Sequence, residues 1–212
     1  LLTFETYNFQ AVKTDVNRKK IPIVSPVINY NSNTKLLFNK LNLQNKFLFY
    51  HIFRDKNTAD HAYRQTRLNY DANISYQKFI NNSRLKFESI IQTDAYSTYK
   101  KQIGNDYLSE EHYRIFPMTG LLIDNPFTNS KGTIYNPQIF FSINGSNNNT
   151  NEISNEITTD NEFNLSRFFS VNRYTGNDKF DNGQRVGYGL GIKKKNFKFN
   201  IAQGFQISSD SD

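Results

Sequence analysis

The chain has 212 residues, of which 37% are hydrophobic, and a mean hydropathy of −0.69. That excludes a bundle of membrane-spanning helices, since no stretch approaches the roughly 20 apolar residues such a helix needs, but not a membrane β-barrel, whose strands turn only every second side chain to lipid. An aromatic content of 15%, from Phe 19 and Tyr 13, excludes a disordered chain; Cys 0 excludes disulfides, thiolate metal sites and Cys nucleophiles; and the net charge of +7 is scattered as on a solvated basic surface, not gathered in a nucleic-acid-binding arm.

The sequence opens Leu1-Leu2-Thr3-Phe4, without Met and without the basic and apolar blocks of a signal peptide, and reads as a piece of a longer protein. Asn31-Ser32-Asn33 is expected to be a tight hairpin, because Asn tolerates the positive φ of such turns. Leu36 to Arg54 follows as a long strand-like run, then Asp55 to Asp60 as a short polar loop. In Arg67 to Gln77 the alternation is strict: Leu68, Tyr70, Ala72, Ile74 and Tyr76 against Arg67, Asn69, Asp71, Asn73, Ser75 and Gln77. Successive side chains of a strand point to opposite faces, so this is a strand with one apolar and one polar face. Asn81-Asn82 marks a second hairpin.

From Arg84, the residues Leu85, Phe87, Ile91, Ala95 and Tyr99 share one face, opposite Arg84, Lys86, Glu88, Gln92 and Asp94. Glu110-Glu111 reads as a charged loop; adjacent carboxylates cannot flank a substrate as an acid–base pair. Tyr135, Pro137, Ile139, Phe141 and Ile143 form the next alternating run, and Asn144 to Asn161 an extended loop rich in Asn, Thr, Ser and Glu. Val186, Tyr188, Leu190 and Ile192 alternate with Gly187, Gly189 and Gly191. These glycines read as small residues on one strand face, because a phosphate loop needs a following helix and a Lys-Ser/Thr pair. Lys193-Lys194-Lys195 falls at a turn with Asn196, and Phe197, Phe199, Ile201, Phe205 and Ile207 make the last strand.

The runs add up to an all-β antiparallel meander of about ten strands, at about 20 residues for each strand and turn. Several exceed the soluble mean of about 5–6 residues, which favours a transmembrane barrel over a sandwich. No catalytic chemistry or cofactor site emerges. His51, His61 and His112 are far apart and lack metal-ligand spacing.

Residues 164–190 carry a more specific pattern, NLSRFFSVNRYTGNDKFDNGQRVGYGL. It resembles the C-terminal half of the LptD family of lipopolysaccharide-assembly proteins. Asn172, Arg173, Tyr174, Gly176, Asp178, Gly183, Arg185, Tyr188, Gly189 and Leu190 match the family pattern; Lys179 stands where Arg is usual. Weaker echoes lie in Ile21 to Asn31, Arg114 to Pro117, Ile134 to Gln138 and Ile201 to Gln203, while Ile153 to Thr158 departs from the family by lacking its Pro and Asp.

The resemblance implies part of a large outer-membrane barrel in a Gram-negative bacterium that inserts lipopolysaccharide into the outer leaflet and makes or breaks no bond. On that reading residues 1–212 are a partial barrel domain, an open sheet without the N-terminal periplasmic domain and the barrel-closing strands. The partners implied are lipopolysaccharide, an LptE-like lipoprotein plug, outer-membrane lipids and a periplasmic LptA-like bridge acting through the N-terminal domain. Gly176 and Gly183 are expected at tight turns, and Arg173, Asp178 and Arg185 in a charge-assisted network that clamps a long loop, which also carries Asn172 of the motif, to the barrel. Direct contact of this loop with the lipid is the alternative. The competing classes are a porin or receptor barrel, which leaves the Asn-Arg signature unexplained, and a soluble carbohydrate-binding β-sandwich, which requires the apolar face to be buried against a second sheet.

Overall fold

The computed structural model of the chain describes residues 1–9, 21–37, 40–55, 63–103, 106–145, 167–174 and 179–208. Among these residues ten strands form a single sheet: β1 (Leu2–Asn8), β2 (Ile23–Leu36), β3 (Leu41–Phe53), β4 (Arg64–Ile80), β5 (Ser83–Ile103), β6 (Asp106–Asp124), β7 (Phe127–Thr128), β8 (Ile134–Asn144), β9 (Gln184–Lys194) and β10 (Phe197–Ser208). The order is β1-β2-β3-β4-β5-β6-β8-β9-β10, every pairing is antiparallel, and the two-residue β7 folds back on β8. β1 and β10 end the order and do not pair with each other, so the meander is open. Among the described residues no helix is long and apolar enough to cross a membrane.

Cross-strand register fixes two faces. Tyr50, Arg67, Tyr96 and His112 lie side by side across β3 to β6, as do Leu48, Asn69, Asp94 and Arg114 one step along. This inner face holds the buried residues: Arg67 and Phe116 are 0% exposed and Asp94 is 1% exposed. The outer face holds the alternating apolar set. Ile115 is 71% exposed and Ile143 66%, and Leu68, Tyr70, Ile74, Phe87, Ile91, Ile201 and Phe205 are exposed with them. A soluble sheet buries its apolar face. This one buries polar residues such as Arg67, Asp94 and Arg114 and leaves a continuous set of large apolar side chains exposed on the other face, which marks an interaction surface.

The connections differ at the two ends. Short ones, between Leu36 and Leu41, at Asn81-Asn82 and at Lys195-Asn196, share one end with the β6–β8 link that contains β7. The other end carries the long ones, 9–22, 54–63 and 145–183, together with the two-residue link between β5 and β6. β5, with 21 residues, spans about 70 Å at about 3.3 Å each, well beyond the roughly 9–11 residues a tilted membrane strand requires. The hairpin at Asn81 has the expected positive φ, 53°.

Four expectations need correction. Asn31-Ser32-Asn33 is not a turn: β2 runs through it, paired to Lys46, Asn45 and Gln44, and the chain reverses after Leu37, whose φ is 49°. Asn29, Asn31, Asn33 and Lys35 all take inner-face register positions, where a polar strand residue has polar neighbours, so Asn here signals a polar wall and not a turn. For the same reason the run beginning at Leu36 divides between β2 and β3. Glu110-Glu111 is not a loop but lies within β6, opposite Thr98 and Ser97, because β5 and β6 extend far past their neighbours. Asn144 closes β8 instead of opening the loop; residues 146–161 lie outside the described residues, as do 56–60 of the polar loop.

Candidate functional site

Two structures occupy the inner face. The first is a polar ladder across β3 to β6. Arg67 Nη1 donates to Tyr50 Oη at 2.9 Å, and Arg67 Nη2 donates to Tyr96 Oη. Arg114 donates to Asp94 through Nε at 2.7 Å and through Nη2, and also to Tyr96 Oη at 3.0 Å. Asn69 and Gln92 amides complete the shell of Asp94. Two guanidiniums, one carboxylate and two phenols from four strands are thus hydrogen-bonded to one another, with the Arg114 and Asp94 side chains 1% and 0% exposed. Buried charges are tolerated only when paired and hydrogen-bonded in this way.

The second is a clamp made by residues 167–174 and 179–185 on the inner face of β6, β8 and β9. The Asn144 amide at the end of β8 donates to Val171 O at 2.8 Å and Asp181 O at 3.0 Å. Asn172 Oδ1 accepts the Tyr174 and Asp181 N–H groups, and its Nδ2 donates to Lys179 O. Arg173 grips Asp181 with its backbone N at 2.9 Å, Nε at 2.9 Å and Nη2 at 2.6 Å. Arg185, from β9, donates to Phe168 O at 2.7 Å and to Ser170 O, and lies 3.8 Å from Asp181. A segment away from regular structure must satisfy its own backbone, and these side chains do that.

Apolar contacts seat the clamp. Val171 and Phe180 are buried with Phe116, Met118 and Phe140, and the Phe116 and Phe180 rings lie 4.7 Å apart. The strands make room for it. A Cβ on Gly120 would stand 2.6 Å from Val171 Cγ1, and one on Gly189 2.8 Å from Phe169 Cζ. Gly187 and Gly189 of β9 thus leave room for the Phe168 and Phe169 rings to lie on the strand.

Of the residues singled out in the sequence, Asn172, Arg173, Gly183 and Arg185 meet in this clamp, and Gly183 has a φ of 68°. Gly176 and Asp178 lie outside the described residues. The carboxylate that receives Arg173 is Asp181, within the quoted motif but not selected, and Asn144 was missed as well. A bidentate partner eight residues from Arg173 has no spacing signature, whereas the Asn-Arg pair does. His51 bonds Thr66 Oγ1 at 2.8 Å and His112 bonds Glu110 at 2.8 Å, while His61 lies outside the described residues. An apolar cavity of about 450 Å³ also opens on the inner face beside β1 to β3, lined by Tyr7, Val24, Val27, Leu48, Tyr50 and Ile52.

An antiparallel meander with apolar side chains outward, a hydrogen-bonded polar lining inward and long connections at one end is the wall of a transmembrane β-barrel. The chain belongs to the LptD family: the family model described as LPS transport system D matches residues 2–212. No curated protein matches the sequence. The work of the family is lipopolysaccharide transport and assembly at the outer membrane of Gram-negative bacteria, and nothing in the structure favours a porin or a sandwich over it.

Proposed function

We propose that residues 1–212 are part of the barrel domain of a translocon whose inner face lines the route of lipopolysaccharide into the outer leaflet, with the rest of the barrel and a periplasmic domain contributed by chain outside them. The observation that carries this reading is the inverted burial: Ile115, Ile143 and Ile201 outward, Arg67, Asp94 and Arg114 inward. The short-turn end faces the periplasm and the long-loop end the cell exterior, as in outer-membrane barrels generally. The clamp of Asn172, Arg173, Gly183 and Arg185, with Gly176 and Asp178 in the same segment, fixes the shape of the inner wall and does not itself carry the lipid. The protein acts without bond chemistry, beside an LptE-like lipoprotein plug and an LptA-like periplasmic bridge.

Depletion of the full-length protein in its native cells tests this. Newly made lipopolysaccharide should stop reaching the surface while other barrels still assemble. Continued delivery with altered solute uptake alone would mean a porin.

A further inference from the structure

Along the inner face, charges are paired toward the long-loop end, Arg114 with Asp94 and Arg173 with Asp181. At the short-turn end the pairing is partial: Arg84 with Asp124 and Lys86 with Glu88, beside two lysines of the β2–β3 hairpin. There a groove of about 440 Å³ opens across the ends of β2 to β5. Lys35, Asn42, Ser75, Gln77 and Lys86 line it from the inner face, and Lys40 joins them from the β2–β3 turn. The register places them together: Lys35 opposite Asn42, Asn42 opposite Ser75, and Gln77 opposite Lys86.

The charge balance can be followed residue by residue. Lys86 Nζ sits 3.0 Å from Glu88 Oε2, and the other oxygen of Glu88 accepts from Asn73 at 2.9 Å. Arg84, next on β5, is held by Asp124 at 2.8 Å. Lys35 and Lys40 are exposed, and among the described residues neither has an ion-pair partner. Three ammonium groups therefore face one carboxylate in a concave site whose other inner-face side chains are neutral donors and acceptors. Ammoniums on flexible stems are point charges and suit a phosphate, which offers acceptor oxygens in every direction. Leu41 and Tyr76 also line the groove, and its polar inner-face side chains suit a headgroup.

We propose that this groove binds phosphate groups on the headgroup of the transported glycolipid where it enters the inner route from the short-turn end. The proposal rests on the transport reading above. The groove is continuous with the inner wall, so a ligand bound there already stands on the transport route. It also opens at the end through which an anionic lipid arrives from the periplasm.

The test uses the full-length protein, purified in detergent with its partners. Two probes are titrated: native lipopolysaccharide, and the same material stripped of its phosphates. The wild type should bind the phosphorylated form about tenfold more tightly, and a Lys35→Gln/Lys40→Gln variant should lose that preference while binding the stripped form unchanged. Both positions are exposed, and retained heat-modifiable mobility on gels verifies folding. Equal affinity of the wild type for the two probes, or a preference that survives in the double variant, overturns the proposal. So does saturation of the groove by inorganic phosphate without any preference between the lipids, which identifies a free-anion site. The transport reading fails separately: if depletion leaves surface delivery intact, it is lost whatever the groove binds, and if delivery stops but no phosphate preference exists, only the groove assignment is lost.

Discussion

The inner wall is finished in two ways. Across β3 to β6 long polar side chains reach from strand to strand and hydrogen-bond to each other, as Arg67 does with Tyr50 and Tyr96 and Arg114 with Asp94. Across β6 to β9 the strands present Gly120, Gly187 and Gly189, and a separate segment lies on them, held by Asn144, Arg173 and Arg185. The first region is stabilised within the sheet and should come apart only with it. The second is a folded-in segment whose fastenings are local, and it can come loose while the sheet stands. A wall lined by side chains keeps the full width of the lumen; a wall lined by a segment narrows it.

The comparison is broken most sharply at Arg114. Arg114→Ala strands Asp94 as a buried, uncompensated carboxylate, which should cost about 3–5 kcal/mol. Urea unfolding of the protein in lipid vesicles should show the whole sheet destabilised, with no separate early transition. Retained global stability would mean that the ladder is wetter than its burial indicates.

A charge on the opposite side of the same strands separates lining effects from membrane effects. Ile74→Arg, halfway along β4 and outward, should cost about 2–4 kcal/mol near the bilayer midplane and block assembly. Its neighbour on the inner face, changed as Ser75→Gln, should assemble normally by the same gel assay. Equal tolerance at both positions would sink the lipid-facing assignment.

These faces show how far the sequence can be read. Alternation in β4, β5, β8, β9 and β10 is visible in Leu68 to Tyr76 or Phe197 to Ile207, because a period of two follows from backbone geometry alone. Which face is buried does not follow from it, since a one-sided soluble sheet and a barrel wall share that period; strand length and family likeness pointed to lipid. The asparagines of β2 were misread because turn propensity and a polar inner wall call for the same residue. Asn172, Arg173 and Arg185 were legible through a local motif. Asp181 and Asn144 were not, because their partners are set by how the segment folds back and not by spacing along it.

The clamp should respond locally. Asp181→Asn weakens the fork to Arg173 and leaves the guanidinium half-satisfied, at a cost of about 1.5–3 kcal/mol, the range for hydrogen bonds to charged groups. The expected readout is faster protease cleavage within 167–183, with the urea midpoint of the sheet almost unmoved. A matching loss of global stability would show that the segment belongs to the folding unit of the sheet.

The smallest effect tests whether the two regions communicate at all. Phe180 belongs to the clamp, yet its ring packs on Phe116 of β6 and lies 4.3 Å from the Arg114 guanidinium. Arg114 is in turn fixed by Asp94, so the ring caps the ladder at its β6 end. A cation over an aromatic face is worth about 0.5–2 kcal/mol, the upper part of that range applying when both are desolvated, as here. Phe180→Leu keeps an apolar side chain on Phe116 and removes the π-face. In a double-mutant cycle with Arg114→Met, the coupling should fall within that range, since groups in direct contact are not additive. Coupling of that size makes the folded-in segment a stabiliser of the charged ladder, and loosening the clamp then raises the cost of keeping Arg114 buried. Additivity within about 0.3 kcal/mol would make the two linings independent, and the clamp a passenger on the wall it covers.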